Sequence, residues 1–195
     1  MRLRILEHGH KLPARAFIRV AEWLFRQRMD NVALTAMHRP AFWGRPFFTL
    51  GSQVLRGPSY WTVGEREYMA MLVSRFNECP FCVRIHTETT RIEANGEVSV
   101  DDASALRPEL AAVIPLLERL TKDPESFGPA DVDDARKAGV PDEAIIDALH
   151  VGFLFNTVNR MANAFDWTWD SEEHVRVAAK VIHRVSYRLP GFALR

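Results

Sequence analysis

The sequence predicts an all-α fold. Strand signals are scarce, apolar residues recur at the three- and four-residue spacing of amphipathic helices along most of the chain, and glycine and proline punctuate those runs. With 195 residues, 47% of them hydrophobic and 26% charged, the chain can build one full-sized core, and nothing in it reads as disordered. No low-complexity tract or linker divides it, so a single domain is expected over residues 1–195.

The elements follow in order. Residues 13–29 alternate Phe17, Ile18, Val20, Ala21, Leu24 and Phe25 with four arginines, the pattern of an amphipathic helix laid on a core or a partner. A short helix is expected over residues 31–38. Residues 39–60 are aromatic and broken by Pro40, Gly44, Pro46, Gly51, Gly57 and Pro58, with one helix expected around residues 47–55. From Gly64 the chain becomes strongly helical, and residues 68–73 all have apolar bodies, so that helix is buried on most sides. Asn77 and Glu78 lead into Cys79 and Pro80. Proline suits the first position of a new helix, because its missing N–H had no partner there. A helix, a tight break and a second helix over residues 80–94 are predicted, closed by Asn95 and Gly96.

Residues 97–107 read as a loop, and residues 108–121 as a helix that Pro115 should kink or restart. Gly128 and Pro129 open a short acidic helix ending near Gly139. Pro141, Asp142 and Glu143 open a long apolar one running to about residue 165. Arg75-Phe76-Asn77 and Leu154-Phe155-Asn156 each close an apolar helical run, a faint internal echo.

Lysine plus arginine and aspartate plus glutamate each number 25, so no global field favours nucleic acid, and a neutral surface is weakly protected against self-association. The N-terminus lacks the continuous apolar run of an export signal, and no apolar stretch approaches the roughly 20 residues of a membrane span. The expectation is a soluble, cytoplasmic protein. Its two cysteines lie three residues apart in a chain too large to need a staple, which argues for chemistry rather than a secreted disulfide framework.

In Cys79-Pro80-Phe81-Cys82-Val83-Arg84-Ile85-His86 the spacings of three, four and seven put both sulfurs and the imidazole along one helical face. With Cys79 as the cap and Cys82 in the first turn, unpaired N–H groups and the helix dipole favour thiolate, and His86 can take the proton. A C-x-x-C pair also serves half zinc sites, local disulfides and inert packing. A histidine four residues on favours redox chemistry, and His8, His10, His38, His150, His174 and His183 offer no second motif with zinc-ligand spacing, so no metal is expected. If the two helices fold back antiparallel, Glu67 comes nearest His86 and then Cys82, where a carboxylate could orient the imidazole. Periodicity alone places Glu67 away from the stripe of Tyr68, Leu72 and Phe76, and so makes it a solvated surface residue.

The segment from Glu67 to His86, with Glu67 twelve residues before Cys79-x-x-Cys82 and His86 four after it, resembles the signature of the AhpD-like branch of the carboxymuconolactone decarboxylase superfamily. Residues 40–55, 120–124 and 139–143 and the run Asn156-x-x-Asn159-Arg160-Met161-Ala162 agree with it. The likeness spans residues 38–167, leaving 1–37 as an N-terminal helical extension and 168–195 as a C-terminal tail helix. It implies an AhpD-like helical domain working as an alkylhydroperoxidase-like thiol peroxidase on organic or hydrogen peroxides. Cys82 would be the peroxidatic thiol and Cys79 the more exposed partner that forms the disulfide and meets a dithiol or protein reductant. Glu67 and His86 would be the proton relay, so the resemblance reverses the surface reading of Glu67. It further implies a homo-oligomer, trimeric or hexameric, with no bound cofactor. AhpD itself has a histidine between its cysteines where this chain has Phe81.

Two other functions stay open on the residues alone: a decarboxylase-like lyase using Glu67 and His86 as acid and base, and a non-catalytic helical oligomeric module. The Asn156, Asn159, Arg160 and Asn163 stripe reads as helix-to-helix or intersubunit bonding rather than substrate binding, and His150 as a packing histidine. Phe42, Trp43, Phe47 and Phe48 read as core or subunit interface.

Overall fold

A computed structural model describes residues 1–102, 106–188 and 191 of the chain. Among these residues all regular structure is helical. The helices are α1 (Ile5–His8), α2 (Leu12–Phe25), α3 (Asn31–His38), α4 (Arg45–Arg56), α5 (Val63–Phe76), α6 (Pro80–Glu93), α7 (Pro108–Lys122), α8 (Pro129–Lys137), α9 (Asp142–Phe165) and α10 (Glu172–Val185). A π-helical turn over Pro40–Gly44 feeds α4. Residues 103–105, within the loop expected over 97–107, lie outside the described residues.

The centre of the molecule is the pair α5 and α6, which fold back on each other. Their start and end meet closely: a Cβ on Gly64 would lie 2.5 Å from Ala94 Cα, so only glycine fits. Helix α5 begins with a capping box in which the Thr62 hydroxyl accepts from the Glu65 N–H and the Glu65 carboxylate accepts from the Thr62 N–H. From Gly64 to Ser74 every residue of α5 is buried. Helices α7 and α9 pack against α5 through Leu110, Val113, Leu117, Ala148, Val151 and Phe155. Helix α10 lies on α6 through Ile85, Val175 and Ala179. A separate small cluster, Ala14, Ile18, Leu34 and Met37, joins α2 to α3.

Several boundaries differ from the expectation. Helix α7 runs through Pro115 without a break, because Leu110, Val113, Leu116 and Leu117 all anchor it in the core and packing outweighs one lost backbone bond. Helix α2 stops at Phe25, where Arg26 turns left-handed at φ 50°. Only Ala14, Ile18 and Ala21 of α2 are buried, whereas Val20, Trp23 and Leu24 stand exposed. His150 is exposed, not packed. No helix among the described residues is long and apolar enough to cross a membrane.

Candidate active site

The break between α5 and α6 is built from strained backbone and amide hydrogen bonds. Glu78 adopts a left-handed φ of 52°, which turns the chain so that the Cys79 N–H reaches the Ser74 carbonyl at 2.9 Å. Cys79 then caps α6, Pro80 takes its first position and Cys82 sits in its first turn. Helix α9 holds this corner in place. Asn77 donates to Asn156 Oδ1 at 2.8 Å and to Asn159 Oδ1 at 3.2 Å, Asn159 donates to Ser74 Oγ at 3.1 Å, and Asn163 donates to the Asn77 carbonyl at 3.1 Å. The asparagine stripe therefore bonds helix to helix, and the two ends of the sequence echo, Asn77 and Asn156, touch one another.

Both cysteines are free thiols and both are buried, Cys79 at 0% and Cys82 at 3% exposure. The expected greater exposure of Cys79 is thus not found: its N–H bonds to Ser74 of α5, Asn159 of α9 reaches its sulfur, and it packs within the main core. The hydrogen bond from Cys82, together with N–H groups of the first turn and the Asn159 side chain, draws the Cys79 thiol below the ordinary thiol range. The same hydrogen bond, with burial, pushes Cys82 well above it. The pair therefore sheds one proton readily and shares the other between its sulfurs.

Glu67 is fully buried, which overturns the surface placement that periodicity gave it. A helix enclosed on nearly all sides has no solvated face for a carboxylate, so its charge must be matched by partners. Four donors supply them. Oε2 accepts from His86 Nδ1 at 2.6 Å and Thr89 Oγ1 at 2.7 Å, and Oε1 accepts from Arg56 Nη1 at 2.7 Å and the Tyr187 hydroxyl at 2.9 Å. Burial raises the Glu67 pKa, but the His86 charge and hydrogen bond, then Arg56 and Thr89, outweigh it and hold the carboxyl down to about 2. An ionised carboxylate only accepts, so His86 Nδ1 must carry hydrogen, and in the neutral ring Nε2 keeps the free lone pair. The ring packs edge-on against Phe155, 4.5 Å between centroids.

Cys82 and His86 both line a mostly apolar cavity of about 190 Å³, walled among others by Phe47, Phe48, Phe155, Val158 and Tyr187. Cys79 is not in its wall. Phe81, between the two cysteines, points into a stack: its ring lies parallel to Trp169 at 4.4 Å, and the Trp169 indole N–H donates to the Phe81 carbonyl at 2.8 Å. It anchors the segment before α10 and has no part in proton transfer. Phe42 is 84% exposed, whereas Trp43 stacks on Phe47. Among the described residues no group of three or more His, Cys, Asp or Glu side chains is arranged to hold a metal ion.

The four residues expected at the site therefore meet around one corner. The additional members are Thr89, Asn159, Arg56 and Tyr187. Thr89 follows His86 by three on the same helix and Asn159 sits in the amide stripe, so their positions were signalled. Arg56 ends α4 and Tyr187 follows α10, and no local pattern connects either to Glu67.

No protein-family model matches the sequence, and neither does any curated protein. Solved structures do. An uncharacterized peroxidase-related protein from Silicibacter sp. TM1040 superposes with a TM-score of 0.70 at 20% identity, covering 90% of this chain and 95% of that one. An uncharacterized peroxidase-related protein from Ralstonia eutropha JMP134, described as an alkylhydroperoxidase AhpD core, gives 0.71 at 24% identity over the same shares of the two chains. The chain has the all-helical fold of the alkylhydroperoxidase AhpD core.

Proposed function

We propose that this protein is a thiol-dependent peroxidase of the AhpD-like branch, cycling Cys79 and Cys82 between dithiol and disulfide. The observation that carries the reading is the placement of Cys82 in the wall of an apolar cavity beside His86, with Nδ1 of that histidine 2.6 Å from a buried, ionised Glu67.

The chemistry follows from the arrangement. Cys82 gives its proton to His86 Nε2, or across the sulfur pair to Cys79, and the resulting imidazolium is balanced by Glu67. The Cys82 thiolate attacks one oxygen of a hydroperoxide, the O–O bond breaks, and the departing alkoxide or hydroxide takes a proton from His86. The products are an alcohol or water and a sulfenic acid on Cys82. Cys79 then attacks that sulfur, releasing water and closing the disulfide. An external dithiol reopens it, becoming oxidised as two thiols are restored. Of the two cysteines Cys82 meets the peroxide, since only it borders the cavity. The same reading makes the protein a trimer or hexamer in the cytoplasm, with the exposed Val20, Trp23 and Leu24 of α2 as apolar surface for subunit contact.

Peroxide consumption with a panel of reductants, lipoyl-type dithiols included, tests this. Cys82→Ser should abolish turnover, and Cys79→Ser should allow one oxidation and no cycling. A Cys82→Ser protein that still consumes a stoichiometric equivalent of peroxide would reverse the assignment. Absence of a readily cycled Cys79 to Cys82 disulfide by mass spectrometry would end the redox reading altogether.

A further inference from the structure

Two residues outside the motif take up the half of the Glu67 carboxylate that His86 and Thr89 leave free. Arg56 reaches it from the last turn of α4 and Tyr187 from the segment after α10. Their placement is not casual. Ser186 and Tyr187 are consecutive residues in left-handed backbone, at φ 51° and 60°, a conformation that side-chain-bearing residues avoid and that persists when surrounding contacts impose it. The Arg56 guanidinium lies over the Tyr187 ring, 4.9 Å from its centroid, so the two donors also hold each other.

We propose that Arg56 and Tyr187 are positioning residues of the thiol site, which fix the Glu67 carboxylate and limit how basic His86 becomes. The proposal rests on the reading of Glu67 and His86 as the proton relay. A buried carboxylate facing an imidazole with nothing behind it stabilises the imidazolium strongly, and such a histidine, once protonated, returns its proton to the leaving oxygen slowly. A permanent cation on the other oxygen offsets that pull, because the imidazolium then faces an almost neutral ion pair. Tyr187 adds a neutral hydrogen bond to the same oxygen and locks the carboxylate in the plane that suits His86 Nδ1.

Other charged and titratable groups near His86 come from several elements. On its own helix there are Cys79, Cys82 and Glu93, the last bound to Arg56 Nη2 at 3.1 Å and to His183 of α10 at 3.0 Å. On α5 there are Glu67 and Arg66, the latter donating to the carbonyls of Val54 and Gly57. Helix α9 presents the Phe155 ring, and the wall of the cavity that His86 lines also carries Glu22, Arg28, Asp30, His174 and Arg188. Of the groups named, Glu67 is the one hydrogen-bonded to the His86 ring, which makes its other oxygen the place for Arg56 and Tyr187 to act.

The test is the titration of His86 followed by NMR of its ring protons in full-length protein, with no peroxide present. Arg56→Gln should move the His86 midpoint upward. Tyr187→Phe should move it in the same direction by less, and Arg56→Lys should bring it back towards the wild type. A change that affected only folding would alter the denaturation midpoint and leave the titration where it was. An unchanged His86 midpoint in folded Arg56→Gln and Tyr187→Phe proteins overturns the proposal; if Arg56→Gln does not fold, Tyr187→Phe decides alone. Failure of the wild type to reduce any peroxide would sink the proposed function and leave this titration readable, so the two failures are distinguishable.

Discussion

Replacing Glu67 by glutamine separates a surface carboxylate from a relay carboxylate more sharply than any other change. The carboxylate accepts from Arg56, Tyr187, His86 and Thr89. The amide keeps one acceptor oxygen and turns an NH2 group towards two of these donors, whichever way it is flipped. Arg56 keeps Glu93 at 3.1 Å but loses its partner at 2.7 Å. Removing one member of a buried ion pair costs about 3–5 kcal/mol, a large share of the ~5–15 kcal/mol that holds a typical domain together, so the variant should fold with a much lower denaturant midpoint. The chemical effect is separate. His86 loses the charge that balances its imidazolium, and general acid–base groups contribute about 10² to 10⁴ in rate, so reaction of Cys82 with peroxide or an alkylating probe should slow by at least ~100-fold. Second-order rate constants across pH, taken beside chemical denaturation, read both effects, and the rate should lose its dependence on the ionisation that governs the wild type. A folded Glu67→Gln protein with near-normal thiol reactivity would refute the relay role, even if its stability fell as expected.

Other consequences follow from the same contacts. Thiolate absorbance of the reduced protein should rise in two separated steps, one below and one above the ordinary thiol range, because the hydrogen-bonded pair sheds its first proton easily and holds its second; Cys79→Ser should leave a single step. Because the Glu67 pKa falls from its ordinary 4.5 to about 2 on folding, its contribution of about 3 kcal/mol should be present above pH ~4.5 and lost as the pH drops towards 2, and Glu67→Gln should lack that component of acid unfolding. Light scattering should find trimers or hexamers at micromolar concentration; a 22.3 kDa species alone would remove the assembly claim. Phe81→His should destabilise the protein without accelerating peroxide reduction, since the imidazole would enter the Trp169 stack and not the relay; faster turnover with unchanged stability would contradict this.

The helices were largely legible because their signals are local. Caps, prolines at first positions and apolar spacing placed α3, α5, α6 and α9 within a residue or two. Pro115 does not restart α7, because its local penalty is outweighed by core contacts that only the folded chain makes. The thiol pair and His86 could be read because eight consecutive residues, the cap and first turns of one helix, carry them. Glu67 could not be placed by periodicity, which assumes a helix with one wet side; α5 has none. Arg56 and Tyr187 were beyond reach for a different reason. They meet Glu67 across 11 and 120 residues of chain, and nothing near either of them encodes that meeting. The exposure of Cys79 was misjudged in the same way, since its partners Ser74 and Asn159 lie on other helices.

The stack of Trp169 on Phe81 would give the proposed dithiol cycle an optical gauge. The indole lies face to face with the residue joining the two sulfurs and is hydrogen-bonded to that residue's carbonyl. In the proposed cycle, bonding the two sulfurs would shift the first turn of α6, and the carbonyl and ring of Phe81 with it. Closure of the disulfide would then change both the polarity and the packing felt by Trp169, and a protein whose other four tryptophans were replaced by phenylalanine would follow the proposed cycle without any label attached to the thiols.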